Sequence, residues 1–102
     1  MIKDFSIKSF QNILVTGGSG FIGGYLIRKL LNETNSNIFN IDKMGYASNH
    51  KAIDQILNLD TQKAKRYKLI NIDLKNYELT NKAIIDCNPD LIMHLAAESH
   101  VD

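Results

Sequence analysis

The run Thr16-Gly17-Gly18-Ser19-Gly20-Phe21-Ile22-Gly23-Gly24 constrains the fold more than any other part of this sequence. Two glycine spacings fit it, GxxGxxG at positions 17, 20 and 23 and GxGxxG at 18, 20 and 23. Each glycine has a physical task. One permits a tight turn out of a strand, one lets a pyrophosphate approach the backbone, and one lets the following helix pack closely on that strand. The helix that begins there aims unpaired N–H groups and its positive dipole end at an anion. The motif carries weight only in context: a strand before it, a helix after it, and an acidic residue about 20 residues on. All three are present. Asn12 to Thr16 is a short apolar run that ends at the glycines, and Phe21 to Leu31 has apolar residues at helical spacing. Asp42 closes the next apolar run, 22 residues after Gly20. A carboxylate at that position accepts hydrogen bonds from ribose hydroxyls and repels a 2′-phosphate, which favours NAD over NADP; the adjacent Lys43 weakens that preference.

The same alternation continues down the chain. Asn37 to Asp42 reads as a second strand, and Ser48 as the cap of a helix that runs to Leu59 with Ala52, Ile53, Ile56 and Leu57 on one face. Tyr67 to Ile72 reads as a third strand, and Tyr77 to Cys87 as a helix that buries Leu79, Ala83, Ile84 and Cys87. After the stop signal Asn88-Pro89-Asp90, Leu91 to Ala96 reads as a fourth, buried strand. Strands separated by helices imply parallel pairing with helices on both faces. The expected fold class is therefore α/β: a partial Rossmann fold whose four-stranded parallel sheet has the order 3-2-1-4.

Length and composition narrow the function. With 102 residues there is room for one small domain. A chain of this size buries only roughly 65% of its unfolded surface, so every layer matters. A net charge of +1 argues against a general nucleic-acid partner. The cations Lys63, Lys65, Arg66 and Lys68 read as a solvated loop that runs into a strand. No apolar run is long enough for a membrane span, and residues 1–11 lack the apolar core of a signal peptide, so a cytoplasmic location is expected. The single cysteine, Cys87, excludes an internal disulfide and reads as packing. No histidine pair has metal-ligand spacing with a carboxylate; His94 reads as a satisfied core histidine and His50 as solvated.

The glycine loop, Asp42-Lys43 with Tyr46-Ala47 after it, Asp73, and above all Met93-His94-Leu95-Ala96-Ala97-Glu98-Ser99-His100-Val101-Asp102 resemble the dTDP-glucose 4,6-dehydratase family of extended short-chain dehydrogenase/reductases. The likeness runs from about Asn12 to the last residue, with Gly45 and Ser48 as departures where the family more usually has Thr and Gly. It identifies residues 1–102 as the N-terminal part of an NAD-binding Rossmann domain. It implies that Gly17, Gly20, Phe21, Ile22 and Gly23 meet the pyrophosphate, and that Asp42, Lys43, Met44 and Gly45 surround the adenosine ribose. Asp73 and Leu74 would close on the adenine. Leu95, Ala96, Ala97, Glu98 and Ser99 would run beneath the cofactor, with Ser99 and His100 reaching the sugar nucleotide.

The reaction implied is an internal redox cycle on dTDP-glucose that yields the 4-keto-6-deoxy sugar. In the family it needs a Tyr-x-x-x-Lys pair and a Thr-Asp-Glu group, both expected downstream of Asp102. The Tyr25 and Lys29 spacing is an incidental match on the first helix, so no catalytic residue is assigned and the isolated chain is expected to be inactive. GDP-mannose dehydratases and UDP-glucose epimerases are weaker resemblances. A stand-alone NAD-binding or regulatory module is the alternative of another class, and a fragment that complements a separate C-terminal chain is a third. The outer edge of the fourth strand leaves a homodimer open.

Overall fold

The computed structural model describes residues 9–43 and 50–95. Within them β1 (Asn12–Thr16), β2 (Asn37–Ile41), β3 (Tyr67–Ile70) and β4 (Leu91–His94) form one sheet in the order β3-β2-β1-β4, and every neighbouring pair is parallel. The α/β class and the 3-2-1-4 order read from the alternation are those observed. The helices are α1 (Phe21–Glu33), α2 (Lys51–Leu59), α3 (Thr61–Lys65) and α4 (Tyr77–Cys87).

Side chains alternate across the two faces of the sheet, and each face has its own core. On one face Ile13, Val15 and Ile38 pack with Ile27, Leu30 and Leu31 of α1 and Ile53 of α2. On the other, Leu14 and Ile41 meet Ala83 of α4, with Phe39, Ile70, Ile72, Leu74 and Ile84 half-buried around them. Helices therefore cover both faces. Local chemistry fixes where they stop. At the end of α1 the Thr34 N–H and hydroxyl both donate to the Leu30 carbonyl, and Arg66 Nη2 donates to the Leu31 carbonyl at 2.8 Å. Asn76 caps α4 by accepting from the Leu79 N–H at 3.1 Å, and Asn88 ends it in the left-handed region at φ 48°, just before Pro89. The Asp90 carboxylate then accepts from the N–H groups of Gln11 (2.9 Å) and Asn12 (2.8 Å), which pins the start of β4 beside β1. Those two bonds hold the Asp90 carboxyl below the usual carboxylate range.

Several expectations need correction. The cations at 63–68 are not a plain solvated loop. Residues 61–65 form α3, because the Asp60 carboxylate accepts from the Gln62 and Lys63 N–H groups, while Arg66 is spent on carbonyls of Leu31 and Ser36. The helix expected from Ser48 begins at Lys51 behind His50, and Ser48 itself lies outside the described residues. The fourth strand is not a fully buried one: it alternates half-buried and exposed side chains, and His94 is on the exposed set. It is nonetheless satisfied, with the Thr16 hydroxyl 2.6 Å from its Nδ1. In α4 only Ala83 and Cys87 are buried, whereas Leu79 of the expected stripe is 48% exposed. Burial pushes the Cys87 thiol up, as suits a packing role.

Candidate functional site

The carboxyl ends of β1 and β2 and the amino end of α1 converge on the glycine loop, the position where open parallel sheets bind ligands. Gly17 leaves β1 with φ 76°, a backbone state that glycine adopts without strain, and its N–H donates to the Ile41 carbonyl at 2.8 Å. Gly23 is the close-packing position. A Cβ there would strike the Gly17 carbonyl oxygen and come within 2.7 Å of the Gly18 Cα. Gly20 differs: a Cβ built on it would meet only the Gly17 oxygen, at 3.6 Å. That side of the loop is open to an approaching group. The three glycines at 17, 20 and 23 thus separate into a turn, an open approach and a packing contact.

Gly20 caps α1 without a side-chain hydrogen bond, and the first turn holds no acidic residue. Its N–H groups and the positive end of the helix are therefore not neutralised by the helix's own side chains. Phe21 is 95% exposed and Ile22 69% exposed on this turn, apolar surface placed beside an anion-binding backbone.

Asp42 follows β2 directly. Its N–H donates to the Ile70 carbonyl at 3.1 Å, and its Oδ2 accepts from the Ser19 N–H at 2.9 Å. The acidic residue and the loop are thus bonded to each other, which spacing alone does not reveal. Asn71 supports the same corner: with its carboxamide nitrogen turned toward them, it donates to the carbonyls of Asp42 (3.3 Å) and Lys43 (3.2 Å). Lys43 is exposed. Asp73 is exposed and folds back on its own turn, accepting from the Lys75 N–H at 3.0 Å. Leu74 is half-buried against the Leu14 cluster. The Leu95 N–H donates to the carbonyl (2.9 Å) and the hydroxyl (3.1 Å) of Thr16, which sets the exit of β4 beside the loop. Met44, Gly45, Ala96, Ala97, Glu98, Ser99 and His100 lie outside the described residues.

Tyr25 and Lys29 sit on the outer surface of α1, where Lys29 pairs with Glu33 at 2.8 Å. That pairing raises the Lys29 pKa and commits its charge to Glu33 on the outer face of the helix. A groove of about 270 Å³ between β3 and α4, lined by Phe39, Lys68, Ala83, Asp86 and Cys87, shares no residue with the loop. Among the described residues no helix is long and apolar enough to cross a membrane.

Sequence reasoning missed the polar residues under the loop. Asn40 is fully buried in β2, and its carboxamide touches Gly18, Ser19 and Tyr67. His50, expected to be solvated, has a side chain only 12% exposed and is bonded to Asp54 and Tyr67. One sequence signal was available. In NIFNID, Asn40 shares a face with Ile38, so a polar residue interrupts an otherwise buried face.

The family model described as GDP-mannose 4,6 dehydratase matches residues 14–102. The dTDP-glucose 4,6-dehydratase of Haemophilus influenzae is 45% identical over 92 residues, which are 90% of this chain and 26% of that protein. The chain thus spans about a quarter of the length of the curated relatives it matches. Among solved structures, dTDP-glucose 4,6-dehydratase from Bacillus anthracis, in complex with NAD, superposes with a TM-score of 0.74 at 31% identity. The match covers 87% of this chain and 27% of that one. The UDP-Glc/GlcNAc 4-epimerase of Campylobacter jejuni also gives a TM-score of 0.74, at 26% identity over 89% of this chain and 26% of its own.

Proposed function

The chain belongs to the GDP-mannose 4,6 dehydratase family, and on that premise we propose that its residues form the NAD-binding portion of an enzyme acting on dTDP-glucose. One observation carries the cofactor assignment: the uncapped amino end of α1 stands behind the open side of Gly20, with the Asp42 carboxylate bonded to the same loop. The residues fit a dinucleotide. The first-turn N–H groups of Phe21 and Ile22 suit a pyrophosphate, and the room at Gly20 lets it come close. Asp42 has two oxygens, so accepting from Ser19 and from a ribose hydroxyl are compatible. Its charge opposes a 2′-phosphate, which makes NAD the fitting cofactor. When bound, NAD supplies a reversible hydride acceptor. Met44 and Gly45 complete the ribose surroundings in this reading, Asp73 and Leu74 the adenine side, and Leu95 to Ser99 the floor.

The sugar-nucleotide reading rests on resemblance. The 36–45% identity to dTDP-glucose 4,6-dehydratases of several bacteria favours dTDP-glucose over GDP-mannose, with Ser99 and His100 on the substrate side. The 102 residues offer one Tyr-x-x-x-Lys spacing, at Tyr25 and Lys29, and it faces outward with Lys29 engaged by Glu33. On their own they are therefore expected to bind cofactor and form no 4-keto-6-deoxy sugar. Calorimetric titration tests the cofactor reading. NAD should bind at one site per chain, with NADP at least about tenfold weaker, a difference of about 1.4 kcal/mol. Equal affinities, or no binding of NAD, would overturn it.

A further inference from the structure

Asn40 is the most unusual residue of the sheet. It sits opposite Val15 in the register of β1 and β2, on the face packed by Ile13, Ile38 and Ile27, and none of its surface is exposed. A buried carboxamide is costly unless its donors and acceptor are satisfied. Here Oδ1 accepts from the Gly18 N–H at 2.8 Å, while Nδ2 donates to the Ser19 hydroxyl oxygen (3.2 Å) and to the Tyr67 hydroxyl oxygen (3.0 Å).

The contact also explains a glycine. A Cβ at Gly18 would strike Asn40 Oδ1 and Ile27 Cδ1 and lie 2.6 Å from Asn40 Cγ. The backbone of the loop rests directly on this side chain. Two residues later on the same strand end, Asp42 takes the next N–H, that of Ser19. Consecutive loop N–H groups are thus drawn down onto β2, which leaves the first turn of α1 as the anion-facing part of the motif.

The support continues outward from Asn40. Tyr67 Oη lies 2.5 Å from His50 Nε2, and His50 Nδ1 lies 2.7 Å from Asp54 Oδ1. A carboxylate only accepts, so Nδ1 donates to Asp54, and in the neutral imidazole Nε2 accepts from the Tyr67 hydroxyl. Burial pushes the Tyr67 pKa up to about 12, so its hydroxyl keeps that proton throughout the neutral range. The directed chain Tyr67 to His50 to Asp54 joins the loop to the first turn of α2, the element that follows the segment carrying Met44 and Gly45.

We propose that Asn40 is a positioning residue for the cofactor. It holds the glycine loop in its binding geometry, and Tyr67 and His50 hold Asn40. The inference rests on the NAD reading of the loop and adds a residue outside the glycine motif that determines its affinity. The natural comparison is wild type, Asn40→Leu and Tyr67→Phe, each as the 102-residue chain. Three readouts are needed: NAD affinity by titration, the unfolding midpoint, and amide exchange at Gly18 and Ser19. Leucine has the same branched shape as asparagine but can neither accept from Gly18 nor donate to Tyr67.

In Asn40→Leu the NAD dissociation constant should rise at least tenfold and exchange at Gly18 should speed up at least tenfold, with amides of Leu14 and Ile27 still protected. Tyr67→Phe leaves the carboxamide in place but removes its outer support, so a smaller rise of two- to fivefold is expected. A merely structural Asn40 would lower the unfolding midpoint and leave the affinity of the folded chain unchanged, and that result would overturn the proposal. If Asn40→Leu does not fold, Tyr67→Phe decides: unchanged affinity and unchanged loop exchange overturn it. Wild-type chain that ignores NAD would overturn the site reading and this inference together. Wild-type binding that both variants match would overturn the inference alone.

Discussion

The two faces of the sheet are built to different standards. Beneath α1 and α2, seven apolar residues from Ile13 to Ile53 are at most 4% exposed and form one continuous cluster. Beneath α4, Leu14, Ile41 and Ala83 are the buried members, and large apolar side chains of α4 and β4 remain in solvent: Ile85 is 75% exposed and Ile92 50%. The glycine loop, Asn40 and α1 all belong to the first face. The cofactor-side half of these residues therefore carries its own packing, whereas the α4 side rests on fewer contacts. A phosphate loop must be held rigidly to be selective, and rigidity comes from a filled core and satisfied polar groups. Among the described residues no buried side-chain nitrogen or oxygen lacks a hydrogen-bond partner.

The contrast can be broken by substitution. Ile27→Ala removes a fully buried side chain that also touches the glycine turn, and should cost about 3 kcal/mol in chemical denaturation. Gly23→Ala comes next. Its methyl would meet the Gly17 carbonyl and the Gly18 Cα, so a loss of about 2 kcal/mol together with weakened NAD binding is expected. Asp90→Asn probes the β4 side. The Asp90 carboxyl is depressed by the Gln11 and Asn12 N–H groups, so its contribution is complete above about pH 4 and lost as the pH falls through its folded value. The variant should melt below wild type at neutral pH, and the two should converge in strong acid. Ile85→Ala is the smallest: at 75% exposure it should change stability by less than about 0.5 kcal/mol. Should Ile85→Ala prove as damaging as Ile27→Ala, the two faces are not unequal after all.

Much of this was legible from residues alone, and the exceptions share a cause. Strand order followed from alternation, since strands joined by helices pair in parallel and the glycine motif marks the first. The turn and packing tasks of the motif were likewise readable, but which glycine takes which emerged only from the φ of Gly17 and the crowding at Gly23. Helix α3 was not, because five residues give no periodicity and its signal is the single cap at Asp60. His94 was placed inside because its neighbours are apolar, yet a strand sends alternate side chains to opposite faces, and Ile92 and His94 share the less covered one. Asn40 and His50 were missed for the complementary reason. Polar residues read as surface until the loop and Tyr67 that enclose them are placed, and those partners stand between 17 and 27 residues away.

The most direct test of the account is thermal unfolding of the 102-residue chain with and without excess NAD. At about a hundredfold over the dissociation constant, a ligand stabilises by about 2.7 kcal/mol. In a domain of this size that corresponds to a rise of about 10 °C or more in the midpoint. A cooperative transition that shifts upward with NAD, and clearly less with NADP at the same concentration, is the expected result. A transition that NAD leaves in place would contradict the claim that these residues form a cofactor cradle.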